Sequence, residues 1–316
     1  MKKPLLSICI PTYNRAEYLR QCLEAIVHQK GFDERVEIVI SDNCSTDNTQ
    51  AVGLHYQEQY ENIRYFRNEE NVLDKNFPLV FRRATGVFRK LTNDTIMYKP
   101  GSIEYILQAV EKNLTERPQL YFLNFGKTHE EEFKALSMED YIGILGFHIT
   151  WIASFGIWEE DCDELDLMVE KAYTRLAQVP FLINNFSKHG CSVIYQKEIM
   201  DSVTPKNKNL TYGLYEVFYN TFLGFIRPLV NDGKITCECY EKVRRELLMG
   251  FFVGWIVNKE TNNGQYRFSD EDLQGLVEKE FKEESYFSEY KRKLAKTRIK
   301  AKIKSTIKKL IGNKVW

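Results

Sequence analysis

The sequence lacks long apolar runs and paired cysteines. No stretch of 18 apolar residues occurs, and residues 1–6 lead directly into a short strand-like segment, so we expect neither a secretory signal nor a membrane-spanning helix. Seven cysteines are scattered along the chain without a CxxC spacing, which favours reduced thiols in a cytosolic protein. Cys237 and Cys239 lie close together, but no second Cys or His pair follows them at zinc-site spacing.

Glycine-rich phosphate motifs are absent as well. Neither GxGxxG nor GxxxxGK[ST] occurs, which excludes a dinucleotide or P-loop cradle of these types. Apolar material for a large core is present, since 43% of the 316 residues are hydrophobic. This length and composition predict one large domain or two unequal ones.

Charge is balanced in total but not along the chain. The 44 Lys and Arg residues equal the 44 Asp and Glu residues, yet residues 291–316 hold eleven of the basic residues and no acid. The other 290 residues therefore carry 33 basic and 44 acidic side chains, a net charge of −11. The sequence thus joins a basic tail to an acidic body.

The N-terminal part alternates strand and helix patterns. Short apolar segments predict five strands, at residues 5–10, 36–40, 63–66, 88–91 and 120–125. Between them, helical spacing predicts helices at residues 16–30, 47–60, 71–84 and 101–115. This alternation is typical of an α/β fold with a mainly parallel, Rossmann-like sheet and helices on both faces.

The pattern changes after about residue 130. Residues 148–158 predict a strand or buried connection, residues 164–186 a helix, and residues 213–258 a mostly helical segment rich in aromatic side chains.

Three polar loops follow predicted strands, at residues 11–15, 41–49 and 92–95. Parallel sheets bind ligands at the carboxyl ends of their strands, so we expect these loops to form one composite site. Asp42 and Asp94 could accept hydrogen bonds from a nucleotide or hold a hard divalent cation. Other roles remain open: Asp42 and Asp47 as helix caps, Asp94 as a turn residue, and Tyr13 as an aromatic packed on the core. We favour function for Asp42 and capping for Asp47.

Three motifs together resemble the family 2 glycosyltransferases of the GT-A fold, of the bacterial polysaccharide-biosynthesis type. They are SICIPTYNRAEYLRQCLEAI, EIVISDNCSTDNT, and an Asp-containing loop followed by KPGSIEYIL, and they span roughly residues 5–125. The resemblance implies that a nucleotide-sugar is bound by the side chains Pro11, Thr12, Tyr13, Asn14 and Asp42, with Arg15 directly following. Together with the sequence patterns, it predicts a nucleotide-sugar-binding half at residues 1–125 and an acceptor-side half at 126–205, followed by a helical region at 206–290 and a basic amphipathic tail at 291–316.

The family's metal motif falls on Asn93-Asp94-Thr95, where only the central residue is an acid. The resemblance implies Mg²⁺ or Mn²⁺ held by Asp94, with Asn93 beside the donor. One carboxylate still suffices chemically, because Mg²⁺ keeps several waters and takes oxygens from the donor diphosphate. Weak or loosely selective metal binding is then expected.

An inverting transferase also needs a general base for the acceptor hydroxyl. Acids that follow the segment ITWIASFGIW are candidates: Glu159, Glu160, Asp161 and Asp163. We place Asp161 first, while noting that such clusters more often lie at a solvated helix N-terminus, where they complement the dipole.

The tail carries apolar side chains at spacings of three or four, flanked by lysines: Ile299, Ile303, Ile307, Leu310 and Ile311. Such a basic amphipathic helix binds anionic membrane surfaces. Packing on the acidic body and nucleic-acid binding are the alternatives, and no aromatic residues interleave the stripe as nucleic-acid stacking would need.

Taken with the resemblance, these features predict a cytoplasmic enzyme, peripheral on the inner face of the cell membrane. It would move a sugar, with inversion, from a UDP-sugar donor to a glycan or lipid-linked acceptor in capsule, O-antigen or exopolysaccharide synthesis. Nucleic acid is not an expected partner. The alternative is a non-catalytic sugar-nucleotide-binding or scaffold protein with a degenerate metal motif.

Overall fold

The computed structural model describes residues 3–124, 131–203, 205, 208–209, 211–261, 266–270 and 272–311. The chain divides into two compact units. Unit 1 comprises Met1–Ile144 and His148–Thr204, and unit 2 comprises Leu145–Phe147 and Pro205–Trp316.

Unit 1 is built on an eight-stranded sheet in the order β3-β2-β1-β4-β8-β6-β9-β7. Its strands are β1 (Leu6–Thr12), β2 (Val36–Asp42), β3 (Ile63–Arg67), β4 (Phe88–Leu91), β6 (Gln119–Phe122), β7 (Glu132–Ala135), β8 (Phe155–Trp158) and β9 (Ser192–Tyr195). A separate antiparallel ribbon pairs β5 (Ile96–Tyr98) with β10 (Met200–Ser202). Among the described strands of the large sheet, β8 runs antiparallel to β4 and β6, and β7 runs antiparallel to β9. The other described pairs are parallel, which confirms the predicted mainly parallel fold.

The helices of unit 1 follow the strands along the chain. They are α1 (Ala16–Val27), α2 (Thr49–Gln59), α3 (Asn76–Arg83), α4 (Ser102–Lys112), α5 (Met138–Leu145), α6 (Asp166–Glu170) and α7 (Gln178–His189). Short 3₁₀ turns lie at Leu73–Lys75, Gly146–Thr150, Ile152–Ser154, Glu159–Glu164 and Ala172–Thr174.

Every residue of β1 and β2 is buried, as expected for parallel strands covered on both faces. Ile8 and Ile38 belong to the apolar core that also holds Leu23 of α1 and Ile106 of α4. On the opposite face, Ser41 donates a hydrogen bond to Oδ1 of Asn76 at the start of α3. The alternating direction of side chains along a strand thus places helices on both sides of the sheet.

The helix predicted at residues 164–186 is broken, and this prediction is wrong. The segment forms a 3₁₀ turn, α6, a second 3₁₀ turn and α7, and Arg175 adopts a left-handed backbone with φ of 65°. Pro180 explains where α7 begins. Within a continuous helix its ring would clash with the carbonyl of residue 176, whereas the first turn of a new helix tolerates it.

Unit 2 is mostly helical, as predicted for residues 213–258. It contains α8 (Phe222–Asn231), α9 (Cys237–Glu246), α10 (Val253–Thr261), α11 (Leu273–Phe281) and α12 (Phe287–Ile311), with π-helical turns at Glu216–Thr221 and Leu247–Phe252. Two short segments, β11 (Lys208–Asn209) and β12 (Tyr266–Arg267), pair in parallel. Within the described ranges, no helix has both the length and the hydropathy needed to cross a bilayer.

Candidate active site

The loops after β1 and β2 are tied together at the carboxyl edge of the sheet. Thr12, the last residue of β1, pairs with Asp42, the last residue of β2. Asn14 has φ of 50°, and its backbone N–H donates to Oγ of Ser45 at 2.8 Å. Its side-chain Oδ1 accepts from the N–H of Thr46 at 2.7 Å. The predicted segments 11–15 and 41–49 therefore meet, as the parallel topology requires.

The remaining predicted residues of the first loop differ in exposure. Pro11 is buried within β1, whereas Tyr13 is 42% exposed at the rim and does not pack into the core. An exposed tyrosine ring offers a surface on which a planar base can stack.

Asp42 is fully buried, and three side chains surround its carboxylate. Oδ1 accepts from the N–H of Ser45 at 2.9 Å, and Oδ2 accepts from the Tyr65 hydroxyl at 2.5 Å and from Nη1 of Arg67 at 3.4 Å. Burial and the bond to Asp42 raise the pKa of Tyr65, so its hydroxyl stays a donor. Asp42 therefore positions Tyr65 and Arg67 at the end of β3.

Asp47 has a capping role instead. Its Oδ1 accepts from the N–H of Thr49 at 3.0 Å at the start of α2, and its Oδ2 accepts from the N–H of Ala16 at 3.2 Å at the start of α1. One carboxylate thus satisfies helix-terminal N–H groups that would otherwise lack partners.

Asp94 lies in the turn between β4 and β5 and is buried, with only 3% of its side chain exposed. Its Oδ2 accepts from Oγ1 of Thr12 at 2.8 Å, and its Oδ1 accepts from Nη1 of Arg15 at 2.8 Å. The neighbouring Asn93 is half-buried, and its carbonyl accepts from the N–H of Ile96. The structure therefore joins the third predicted loop to the first through direct side-chain contacts.

The site offers few protein ligands for a divalent cation. In the described part of the chain, no group of three or more His, Cys, Asp or Glu side chains could hold a metal ion. Asp94 supplies one carboxylate, and its Oδ1 is the atom that Arg15 holds. The donor set fits Mg²⁺ or Mn²⁺ only as an ion that takes its other ligands from water and from a bound diphosphate.

Asp161 does not join this group. It follows Trp158, which pairs with Phe88 at the amino end of β4, so it lies at the opposite edge of the sheet from Asp42 and Asp94. The side chain is fully buried and accepts hydrogen bonds from the N–H of Trp158 at 2.9 Å and from Nε2 of His189 at 2.8 Å. Since β8 runs antiparallel to β4, residues after it point away from the site. This geometry argues against Asp161 as the general base.

Sequence patterns missed several polar residues that have buried partners. No sequence motif marks Tyr65 and Arg67, because they belong to the ordinary strand β3. Both side chains donate hydrogen bonds to the Asp42 carboxylate. Lys90 reads as a strand position, yet its side chain is fully buried and Nζ donates to the Ala153 carbonyl at 2.6 Å. Burial lowers the pKa of Lys90 to about 7.

A cavity of about 350 Å³ opens at the carboxyl ends of β6 and β9. It is lined by Phe122, Leu123, Asn124, Trp151, Lys197, Glu198, Ile199 and Met200. The ribbon of β5 and β10 connects this cavity to the Asp94 turn, since the N–H of Val203 donates to the Thr95 carbonyl at 2.8 Å. A larger groove of about 880 Å³, lined in part by Pro4, Phe32 and Tyr60, lies at the opposite edge of the sheet.

Comparison with known protein families gives a match over the N-terminal part. Residues 7–125 match the family described as "Glycosyl transferase family 2". The abequosyltransferase RfbV of Salmonella typhimurium is 44% identical over 79 residues, which cover 25% of this chain and 19% of that protein. The GalNAc(5)-diNAcBac-PP-undecaprenol beta-1,3-glucosyltransferase of Campylobacter jejuni is 36% identical over 113 residues, covering 34% of this chain and 35% of that protein. The chain thus aligns with about a third or less of these curated relatives.

Solved structures resemble the whole chain at low sequence identity. TarS 1–349 of S. aureus in complex with UDP-GlcNAc has a TM-score of 0.57 at 14% identity, covering 94% of this chain and 90% of that one. The mannosyltransferase PcManGT of Pyrobaculum calidifontis, in complex with GDP-Man and Mn²⁺, has a TM-score of 0.54 at 12% identity, covering 95% and 88%. At this level of identity, the similarity shows a shared fold. Residues 7–125 thus match the glycosyl transferase family 2 model, and the chain shares the fold of these two solved structures.

Proposed function

We propose that this protein transfers a sugar from a nucleotide-sugar donor, a UDP-sugar, to a carbohydrate acceptor. The convergence of Arg15, Asp42 and Asp94 at one edge of the sheet carries the proposal, because these residues come from three separate loops of a family 2 domain. The UDP-GlcNAc and GDP-Man bound by the structural neighbours support a nucleotide-sugar donor.

The donor is bound at the loops after β1, β2 and β4. Tyr13 stacks on the base, and the hydrogen bonds of Asn14 with Thr46 and of Asp42 with Tyr65 hold the loops around the nucleoside. The diphosphate lies near the amino end of α1, where the helix dipole favours anions. A divalent cation at Asp94, Mg²⁺ or Mn²⁺, would supply positive charge to the leaving diphosphate. Arg15 adds a guanidinium that suits paired phosphate oxygens.

The acceptor occupies the cavity at the ends of β6 and β9. Trp151 provides an aromatic face for a sugar ring, and Glu198 places a carboxylate at the cavity wall. We assign Glu198 as the general base, which takes the proton from the acceptor hydroxyl as its oxygen attacks the anomeric carbon. Attack from the face opposite the leaving diphosphate inverts the anomeric configuration.

The proposed setting is capsule, O-antigen or exopolysaccharide synthesis, with a glycan or lipid-linked acceptor. The name of the Campylobacter jejuni relative, which includes an undecaprenol-linked saccharide, supports this setting. Exposed Ile299, Ile303 and Ile307 on α12 support binding to an anionic membrane, which would hold the protein on the cytoplasmic face of the cell membrane. No nucleic acid takes part in this function.

Calorimetric titration with UDP and GDP, followed by assays of nucleotide release from the matching sugar donors, tests the proposal. UDP should bind the protein, and Asp42→Ala should weaken that binding by about 1.5–3 kcal/mol because Tyr65 and Arg67 lose their shared anchor. Arg20→Ala, on the exposed side of α1, is the matched control and should bind as the unchanged protein does. If neither nucleotide binds the folded protein, the proposed function is wrong. Binding without turnover would favour the non-catalytic alternative.

A further inference from the structure

The ion pair between Arg15 and Asp94 joins the two groups that the donor diphosphate and its cation need. Nη1 of Arg15 lies 2.8 Å from Oδ1 of Asp94, whose side chain is 3% exposed. Asp94 is the sole acid of the Asn93-Asp94-Thr95 motif. Any cation at this motif must therefore use the carboxylate that Arg15 holds.

The backbone of Arg15 is fixed, whereas its side chain reaches solvent. The N–H of Arg15 donates to Oγ1 of Thr49 at 3.0 Å, and the Arg15 carbonyl accepts from the N–H of Leu19 at 2.9 Å. Its side chain is 30% exposed, ten times the exposed share of Asp94. The guanidinium can therefore rotate away from Asp94 without any change in β1 or α1.

The two oxygens of Asp94 have different partners. Oδ2 accepts from the Thr12 hydroxyl, a neutral donor at the end of β1. Oδ1 accepts from the charged guanidinium. A divalent cation on Oδ1 would lie beside the positive guanidinium in a poorly hydrated site, where repulsion between like charges is strong. Arg15 and a cation therefore compete for Oδ1.

We infer that Arg15 and the divalent cation are alternative partners of Asp94. The cation therefore binds together with the donor diphosphate. The diphosphate provides a second anionic partner for the guanidinium, which can bind two phosphate oxygens at once. The guanidinium then no longer competes with the cation for Oδ1 of Asp94. This inference rests on the proposed function for the identity of the anion, whereas the competition between Arg15 and the cation does not depend on it.

Thermodynamic linkage gives the inference a measurable form. If the diphosphate removes Arg15 from Asp94, nucleotide must tighten cation binding, and cation must tighten nucleotide binding by the same factor. Removal of the guanidinium should relieve the competition and raise the affinity for the cation in the absence of nucleotide.

Mn²⁺ binding, followed by the electron paramagnetic resonance signal of the unbound ion, provides the test. Arg15→Ala should bind Mn²⁺ at least tenfold more tightly than the unchanged protein when no nucleotide is present. For the unchanged protein, UDP should tighten Mn²⁺ binding at least tenfold, and this factor should be smaller for Arg15→Ala. Arg20→Ala removes a different arginine from α1 and should behave as the unchanged protein does.

Equal Mn²⁺ affinities for Arg15→Ala and the unchanged protein would overturn the inference and leave the ion pair a purely structural contact. Failure of every form to bind Mn²⁺, with or without UDP, would also overturn it, while UDP binding in the same titrations would leave the proposed function standing. Arg15→Lys, which keeps the charge, should resemble the unchanged protein, and circular dichroism checks that all variants fold. A lack of UDP binding would contradict the proposed function. The Mn²⁺ affinities of Arg15→Ala and the unchanged protein, measured without nucleotide, would still test the competition between Arg15 and the cation.

Discussion

At the scale of single residues, the environment gives three aspartates three different tasks. Asp42 is buried among Ser45, Tyr65 and Arg67 and fixes the end of β3. Asp94 forms an ion pair with the partly exposed guanidinium of Arg15, the partner that we infer it exchanges for a cation. Asp161 lies at the other edge of the sheet and joins the turn after β8 to His189 in α7. Side-chain chemistry alone does not distinguish these roles.

Asp161→Asn and Glu198→Gln form a matched pair that locates the general base. Glu198→Gln should lower kcat by about 10²–10⁴, the usual share of general-base catalysis. Asp161→Asn should leave kcat unchanged well below its melting temperature, and should lower the free energy of unfolding by about 2 kcal/mol through lost buried hydrogen bonds. Steady-state rates and urea unfolding measure the two effects. A large loss of kcat in correctly folded Asp161→Asn would indicate that Asp161 is the general base after all.

The contribution of Asp161 to the free energy of unfolding should also depend on pH. Burial raises the pKa of Asp161, but the bond from His189 and the N–H of Trp158 outweigh burial and hold the pKa below its usual value. A lowered pKa in the folded state means that the stabilisation is complete above the unfolded pKa of about 4 and is lost as the pH falls through the folded value. The difference in stability between Asp161→Asn and the unchanged protein should therefore narrow below about pH 4.

At the scale of elements, α12 consists of two parts with different surroundings. Tyr290 and Leu294 are buried in unit 2, and Arg298 forms an ion pair with Glu260 of α10. Beyond this pair, Ile299 and Ile303 are exposed, at 58% and 53%. The first part thus stabilises unit 2, and the second part presents an apolar stripe among lysines.

Deletion of residues 299–316 should release the protein from anionic vesicles without lowering its melting temperature. The deleted segment holds six lysines, and each basic residue near an anionic surface contributes about 1 kcal/mol. Vesicle sedimentation at low and high salt, together with a melting curve, measures both effects, since salt screens charges beyond about 8 Å at physiological ionic strength. A lower melting temperature with unchanged vesicle binding would instead indicate that the helix packs on the protein.

At the scale of the whole molecule, the two units each possess a buried core. In unit 1 the core lies between the sheet and helices such as α1 and α4. In unit 2 it includes Val243, Leu247, Phe252, Val277 and Phe281, all of which are fully buried. All of the proposed donor contacts lie in unit 1.

A fragment of residues 1–204 should therefore fold and bind UDP with an affinity within about tenfold of the full chain, because the donor loops and their supporting helices are all retained. Circular dichroism and calorimetric titration check these two expectations. If the fragment folds but loses UDP binding, unit 2 contributes to the donor site.

The sequence by itself determined the fold class and the meeting of three loops. Alternating strand and helix patterns arise from local periodicity, and parallel strands then bring residues 11–15, 41–49 and 92–95 to one edge. The predicted elements in residues 6–112 agree with the observed ones to within a few residues, apart from the start of α3, whereas the short strand β5 (Ile96–Tyr98) was not predicted.

Tertiary structure alone decided the direction of β8 and the hydrogen-bond partners of Asp42, Asp94 and Asp161. Periodicity is the same for a parallel and an antiparallel strand, so nothing local placed Asp161 at the far edge. The contact of Arg15 with Asp94 spans 79 positions, and that of Arg67 with Asp42 spans 25. Such long-range contacts depend on the order of the strands in the sheet and on the conformations of the loops. The free energy that stabilises these contacts comes from burial and charge in the folded sheet, not from local sequence.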